Sequence, residues 1–334
     1  MILSLNLMDG FSYSVVIRTL GNTGEKYRLL LEAVAKQTVK PMEVVVVIPY
    51  GYTLDHQLGN ERVIFSEKGM VTQRVVGMSE AHGDYLLVLD DDVVFPADFV
   101  EKMHSYLEKR DLDGVLAFGK VNSQANTASP RKFKQSIKER LKRIRGAFTG
   151  QYFYSRRKSD FFDVITRTAG HKTFVNEPDK LCQTGCFQCF FMKKSAALEA
   201  HFDEEKWLEQ GTLSRYAAYD DAVFFYKLFV AGKRIAYTNE TDYAHLDAAM
   251  GRSAANRMDA KRIRLYCIAR NRTVFWKRHI LAHRPGLLTW VCGVYGLVNY
   301  ALFSVLANIL PHRWPAISAL FCGYRDAFKL LRRK

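Results

Sequence analysis

Residues 81–95 read AHGDYLLVLDDDVVF. Tyr85 to Leu89 form an unbroken apolar run, as a strand buried on both faces does, and the run stops at three consecutive aspartates, Asp90, Asp91 and Asp92. Adjacent carboxylates at the end of a buried strand repel one another and sit where desolvation is costly. A divalent cation carrying a phosphate relieves both penalties, because hard cations take carboxylate oxygens and keep positions for phosphate. The bland alternative is an acidic turn or helix cap ahead of Pro96, and the strand before the triplet favours a site.

Working outward, Tyr13–Ile17 (YSVVI) and Val44–Ile48 (VVVVI) read as further buried strands, with shorter ones over Arg62–Phe65 and Gly114–Phe118. Between them, helical spacing runs over Glu25–Gln37, Val71–Ala81 and Pro96–Arg110. Strand–helix alternation with near-continuous apolar strands predicts an α/β fold around a mostly parallel sheet. Ligands of such sheets bind beyond the carboxyl ends of the strands, where the three aspartates fall. Downstream, Asn122–Ser129 reads as a polar linker, Thr184–Met192 as a strand and Asp220–Val230 as a helix. Lys233–Thr238 and Thr241–His245 read as short extended pieces, followed by a long basic helix over Ala254–His283 and a final basic–apolar helix. The expected organisation is an α/β domain over 1–250, with a basic insertion at 131–158, and a C-terminal helical region over 251–334.

Hydrophobic residues make up 48 % of the 334, which excludes a disordered or fibrous chain. The net charge of +15 is unevenly spread. Residues 131–158 carry +10 and residues 251–334 carry +14, leaving the other 222 residues at −9, acidic enough to hold a cation. Six cysteines suggest no disulfide framework and the N-terminus reads as no signal peptide, so a reducing, cytoplasmic setting is expected. Cys182, Cys186 and Cys189 have the spacing of a radical S-adenosylmethionine cluster motif, but alternation along an extended run sends Cys186 and Cys189 to opposite faces, and buried free thiols are expected.

Residues 131–145 (RKFKQSIKERLKRIR) hold eight Lys/Arg around a narrow apolar stripe of Phe133, Ile137, Leu141 and Ile144, with YFYSRRK following. Membrane surface, nucleic acid and a solvated face compete for this pattern. No nucleic-acid motif accompanies it, and Gly286–Leu310 has no charge across 25 positions, so an anionic membrane surface is the expected partner and nucleic acid is not. Both flanks of 286–310 are basic, which disfavours a single crossing and favours peripheral or monotopic attachment at the cytoplasmic face; a packed apolar helix is the alternative.

The ordered set SVVIRT, LLEAVAKQTVKPMEVVVV and AHGDYLLVLDDDVVF resembles the nucleotide-sugar half of family 2 glycosyltransferases with a GT-A fold. Phe202-Asp203-Glu204 and Tyr219-Asp220-Asp221-Ala222-Val223-Phe224 resemble the acceptor half. The resemblance implies a GT-A α/β fold with a membrane-associating C-terminal region and an inverting transfer from a UDP- or dTDP-sugar assisted by Mn²⁺ or Mg²⁺. Carried over by position, Asp90 and Asp92 look like the outer members of the metal-binding Asp-x-Asp motif, with Asp90 or Asp91 reaching the ribose. Arg18, Thr19 and Leu20 occupy the loop that lines the nucleotide, and Arg74 stands at a donor-site position. One departure is Ile48-Pro49-Tyr50-Gly51, where many relatives carry an acid for base recognition.

Displacement at an anomeric carbon needs a base on the acceptor hydroxyl, opposite the leaving phosphate. Asp221 matches the family's base and Asp220 would orient acceptor or donor, although aspartates also cap helices. His245 resembles the third metal ligand of rhamnosyl- and galactofuranosyl-type relatives, and Arg252 could close over the diphosphate. The implied acceptor is a lipid-linked saccharide in surface polysaccharide or lipopolysaccharide assembly. A non-catalytic sugar-nucleotide-binding subunit of a membrane complex is the alternative.

Overall fold

The computed structural model describes residues 11–22, 24–121, 161–173, 180–211, 213, 218–246 and 254–332. The expected linker 122–129, the basic insertion 131–158 and Arg252 lie outside the described residues.

The strands expected in the first half form a parallel block. β1 (Tyr13–Arg18) pairs with β2 (Glu43–Pro49) on one side and β4 (Tyr85–Asp90) on the other, and β3 (Glu61–Ser66) flanks β2. β5 (Val93–Val94) follows the turn after β4, and β6 is Gly114–Val121. Outlying strands β7 (Phe161–Ile165), β8 (His171–Thr173) and β9 (Leu181–Cys182) extend the far edge. β10 (Cys189–Lys193) lies antiparallel between β4 and β6, and β11 (Ile235–His245) runs parallel to β6. The strand expected over Thr184–Met192 starts only at Cys189, because the preceding residues cross the end of β4, where the Asp90 amide donates to the Gln188 carbonyl at 3.0 Å. The two extended pieces expected at 233–245 are one strand whose register shifts between Thr238 and Asp242.

Burial on both faces explains the lack of alternation in β1, β2 and β4. Val15, Ile17, Val46, Leu87 and Leu89 pack under α1 (Glu25–Ala35) and α3 (Phe99–Lys109). Val16, Val45, Val47, Leu86 and Val88 belong to the opposite layer, with α2 (Met70–Glu80). α4 (Lys194–Glu199) and a 3₁₀ segment, Phe202–Leu208, lead to α5 (Asp220–Val230), whose Val223, Phe224 and Phe225 complete that layer. The central sheet flanked by helices is the expected α/β class. Gly77 lets α2 sit close on it: a Cβ there would lie 2.5 Å from Val16 Cγ1 and 3.1 Å from Val47 Cγ2.

The C-terminal region is helical, as expected. α6 (Ala254–Phe275) runs on through a π-type turn, Trp276–Ile280, to His283, and α7 (Leu287–Ile309) and α8 (Trp314–Arg332) follow. α7 is polar inside and apolar outside. Its inward face is Thr289, Cys292, Gly293, Gly296, Tyr300, Ser304 and Asn308, mostly small or polar, and its outward stripe is Val291, Tyr295, Val298, Leu302 and Leu306, the last 61 % exposed. A helix facing water has the opposite polarity. The inward glycines bring α7 close to its neighbours: a Cβ at Gly296 would lie 2.5 Å from Thr168 Cβ, and one at Gly293 would overlap the Trp276 indole.

Gly77→Val should therefore overpack the α2–sheet contact and lower the unfolding free energy by about 1–3 kcal/mol. Urea denaturation reads this as a lower midpoint at unchanged slope.

Candidate active site

β1 and β4 pair in a register that sets Arg18 opposite Asp90 at their carboxyl ends. The Arg18 guanidinium meets Asp90 Oδ1 at 3.0 Å. Arg74, reaching from α2, places a second guanidinium on the same oxygen at 3.0 Å and donates through Nη1 to Asp220 Oδ2 at the start of α5. Arg74 is 2 % exposed and its guanidinium stacks 4.1 Å from the centroid of the Phe187 ring. Burial alone would pull the pKa of Arg74 down, and the carboxylates of Asp90 and Asp220 override that and hold it above its ordinary value. For Asp90, burial raises the pKa, and the two arginines outweigh it to leave the carboxyl below the usual range. The two acidic clusters, 130 residues apart in sequence, are thus joined through one cation.

Asp91 and Asp92 form the turn into β5, and each takes its own partner. Asp91 Oδ2 accepts from Thr19 Oγ1 at 2.6 Å, and Thr19 Oγ1 accepts from the Gly21 amide at 2.9 Å. Gly21 has φ +81°, and a Cβ there would lie 2.0 Å from the Thr53 carbonyl oxygen, so the loop 19–21 can approach 53–55 only with glycine. Leu20 on this loop is exposed. Gln73 Nε2 donates to the carbonyls of Thr19 and Val47, both at 2.9 Å, and fixes the loop from beneath.

Asp92 Oδ2 faces His245 Nε2 at 3.2 Å across the β5–β11 pairing, and the Asp92 carbonyl accepts from the Leu246 amide at 2.7 Å. Burial raises the Asp92 pKa, and Asp90 and Asp91 add to the rise while His245 opposes it. Among the described residues no three His, Cys, Asp or Glu side chains gather as a metal cage. The Asp92–His245 pair supplies one hard oxygen and one imidazole nitrogen at the right separation to share a cation whose remaining positions go to phosphate and water. The donor chemistry fits a divalent metal, with Asp90 turned away to Arg18 and Arg74.

Tyr219 ends the preceding loop in the left-handed region, φ 75°, and starts α5 so that Asp220 and Asp221 occupy its first turn. Asp220 goes to Arg74, whereas Asp221 Oδ1 accepts from the Ala222 amide at 2.7 Å. Burial, reinforced by Asp220, pushes the Asp221 carboxyl up to about 7. Asp163 on β7 is buried and electrostatically sensitive to Asp221, and burial pushes it to about 7 as well. Cys186 borders the same acids, and its thiol is pushed up to about 12, chiefly by burial. Cys182 and Cys189 are buried thiols raised by the same cause.

Two supporting groups were not anticipated from the sequence. Glu209 caps α2, accepting from the Val71 amide at 2.8 Å and from Thr72 Oγ1 at 2.5 Å, and so fixes the helix that carries Gln73 and Arg74. Asn271 on α6, fully buried, donates through Nδ2 to the carbonyls of Leu208 at 3.0 Å and Ala218 at 2.9 Å, holding the chain just before Tyr219. The local signal for Asp163 was present, since it is the one acid in the apolar run FFDVI. Nothing local marks Glu209, whose partners lie 137 and 138 residues away.

Residues 52–194 match the family model described as Glycosyl transferase family 2. The chain is 36 % identical over 89 residues to the uncharacterized glycosyltransferase YwdF of Bacillus subtilis (strain 168), covering 25 % of this chain and 33 % of that protein. The match therefore spans about a third of the curated relative's length. Among solved structures, S. aureus TarS 1–349 aligns over 97 % of this chain and 92 % of its own, with 13 % identity and TM-score 0.42. GalNAc-T7 with UDP, GalNAc and Mn²⁺ aligns over 90 % of this chain and 58 % of its own, with 11 % identity and TM-score 0.48.

Replacing the shared cation isolates its contribution. Arg74→Leu leaves Asp220 without its arginine and should lower stability by about 3–5 kcal/mol at pH 7, the cost of breaking a buried pair. Because the folded pKa of Asp90 is depressed, its ionic contribution is present above its ordinary value of 3.8 and lost as pH falls through the folded value. The wild-type advantage over Arg74→Leu should therefore hold from pH 7 down to about pH 4 and shrink as the pH falls further in urea titrations, and a difference that stays constant below that point would contradict the pairing.

Proposed function

We propose that the protein is a metal-dependent, inverting glycosyltransferase that moves a sugar from a UDP- or dTDP-sugar to a hydroxyl of a lipid-linked saccharide. The observation that carries this reading is the convergence at one set of strand ends of Arg18, Arg74, Asp90–Asp92 and His245 with Asp220 and Asp221. The family 2 match over 52–194 supports it, since that segment contains the aspartate triplet.

In this reading Asp92 and His245 hold the divalent ion, Mn²⁺ or Mg²⁺, which supplies charge neutralisation to the leaving diphosphate. Arg18 lies at the rim of the same site, and the loop Thr19–Gly21 lines the nucleoside. Asp90 and Asp220 are occupied in fixing Arg74, so their role is to hold the cleft's walls together. Asp221 is free for chemistry. Its carboxylate takes the proton of the acceptor hydroxyl while that oxygen forms the new bond to the anomeric carbon and the bond to the diphosphate oxygen breaks on the opposite side. A carboxylate with a pKa near 7 is a competent base at neutral pH, whereas one at 4 is a weaker acceptor. Arg252, outside the described residues, is the further residue assigned to the diphosphate in this reading.

The same reading attaches the enzyme to the cytoplasmic face of a membrane in the assembly of surface polysaccharide or lipopolysaccharide. The inverted polarity of α7 supports attachment, because an outward stripe of Val, Leu and Tyr over an inward face made mostly of small or polar residues, Thr, Cys, Gly, Tyr, Ser and Asn, fits an apolar exterior. The inward face of α7 packs on Thr168 and Trp276 of the body, which favours a helix lying in the interface plane over one crossing it.

Asp221→Asn should lower transfer by about 10²–10⁴-fold while leaving nucleotide affinity unchanged. Wild-type turnover should rise with pH through about 7 as Asp221 loses its proton, and the rise should vanish in the variant. Because the folded pKa of Asp221 is raised, the ionised group costs stability at high pH, so Asp221→Asn should be more stable than wild type above pH 7, with the gain fading toward pH 4. Radiolabelled transfer assays with calorimetric nucleotide titration read activity and affinity, and urea denaturation across the same pH range reads the stability difference. Full transfer by Asp221→Asn would remove the base assignment, and nucleotide binding without transfer by the wild type would leave a non-catalytic subunit.

A further inference from the structure

α7 and α8 form an antiparallel hairpin joined by residues 310–313, and their seam against the end of α6 opens into a groove of about 600 Å³. The hydroxyl of Tyr324 donates to the Leu297 carbonyl at 2.9 Å and fixes the register of the two helices. In that register Trp290 and Arg332 line one end of the groove, beside Lys277, while Ala301 and Phe321 line the other, with Val298 between. The distance from Trp290 to Ala301 along α7 is about 16 Å at 1.5 Å per residue. The groove is thus a long apolar trough with cations at a single end.

Among the described residues neither Lys277 nor Arg332 makes an ion pair. Residues 254–332 contain only two acids, Asp259, paired with Arg262, and Asp326, held by Tyr266 and Arg325. No acid lines the groove. The trough therefore asks for a hydrocarbon chain along its length and an anion at its cationic end. The outer lip, Val298 and Phe321, is more than half exposed and continuous with the outward stripe of α7, so a chain can enter sideways from a membrane without passing through water.

We propose that this groove is a lipid site that takes one acyl chain of an acidic membrane phospholipid, with the lipid phosphate seated on Lys277 and Arg332. This deepens the membrane reading above and is independent of sugar transfer. Attachment by the outward stripe alone would be an unsaturable partition into the bilayer, whereas the groove holds one lipid per chain with a preference for anionic headgroups.

The test is native mass spectrometry of the full chain in a mild non-ionic detergent, titrated with phosphatidylglycerol or phosphatidylcholine. The proposal predicts saturation at one phosphatidylglycerol per chain, about tenfold tighter than phosphatidylcholine. Val298→Trp with Ala301→Trp should fill the trough and weaken phosphatidylglycerol retention about tenfold or more, with the melting temperature monitored to verify folding. Lys277→Gln with Arg332→Gln, which touches no core contact, should erase the headgroup preference while leaving phosphatidylcholine retention as in the wild type. Leu302→Gln with Leu306→Gln, on the outward stripe, should lower co-sedimentation with anionic vesicles yet leave the bound lipid in place. Equal retention of the two lipids by the wild type, or wild-type retention by the folded Trp variant, would overturn the proposal. So would loss of the bound lipid in the Leu302/Leu306 variant, or a mass spectrum of dimers that the Trp variant dissociates, since the groove would then seat a second copy. None of these readouts involves a sugar nucleotide, so a failure here is separable from a failure of the transferase assignment.

Discussion

A guanidinium with almost no access to water needs carboxylates around it, and Arg74 has two, Asp90 at the end of β4 and Asp220 at the start of α5. Much of the candidate site depends on that arrangement. Asp90 is fixed by the sheet, because its strand pairs with β1 and β10 on either side. Asp220 is fixed by the left-handed residue Tyr219 and by the Asn271 amide that holds Ala218. Arg74 itself is fixed by α2, whose first turn is capped by Glu209 and whose Gly77 lets it lie on Val16 and Val47. With Arg74 engaging Asp220, the neighbouring Asp221 is left half-buried, without a described cation of its own, and correspondingly basic.

The C-terminal helices contribute to the same construction. Arg270, Asn271 and Arg272, three consecutive polar residues of α6, are all buried and direct their donors to backbone carbonyls of the body: Trp207, Leu208 with Ala218, and Thr168 respectively. Buried donors of this kind are costly when unpaired, so α6 is committed to the loops that carry the acidic cluster. α7 then leans on α6 and Thr168 through its glycines and turns its large apolar side chains outward. The helix that best fits a lipid environment and the residues that hold Asp220 and Asp221 are therefore neighbours in one packed unit.

Strands that read as unbroken apolar runs, YSVVI, VVVVI and YLLVL, are doubly covered strands of the sheet, because burial on both faces removes the need for alternation. The Asp92–His245 approach was legible only through family resemblance, since it depends on β5 pairing with β11. Local pattern could not show that β10 inserts antiparallel between β4 and β6, nor that residues 183–188 cross the end of β4 before the strand begins. It also could not show that Asp90 pairs with two arginines, because Arg18 and Arg74 reach it from different elements. Glu209, Asn271 and Phe187 act through contacts 50 or more residues distant in sequence, and no spacing rule marks them. The apolar stretch 286–310 was legible as a helix in need of an apolar setting, but only the packed structure reveals its polar inner face.

The claim on which the account rests is that one cleft, pinned by Arg74, receives a nucleoside diphosphate together with a divalent ion on Asp92 and His245. Calorimetric titration of uridine or thymidine diphosphate into the full chain, with Mn²⁺ or with chelator, tests it most directly. Binding that requires Mn²⁺ and weakens about tenfold or more in Asp92→Asn is the predicted result. Equal affinity with and without the metal, unchanged by Asp92→Asn, would contradict it.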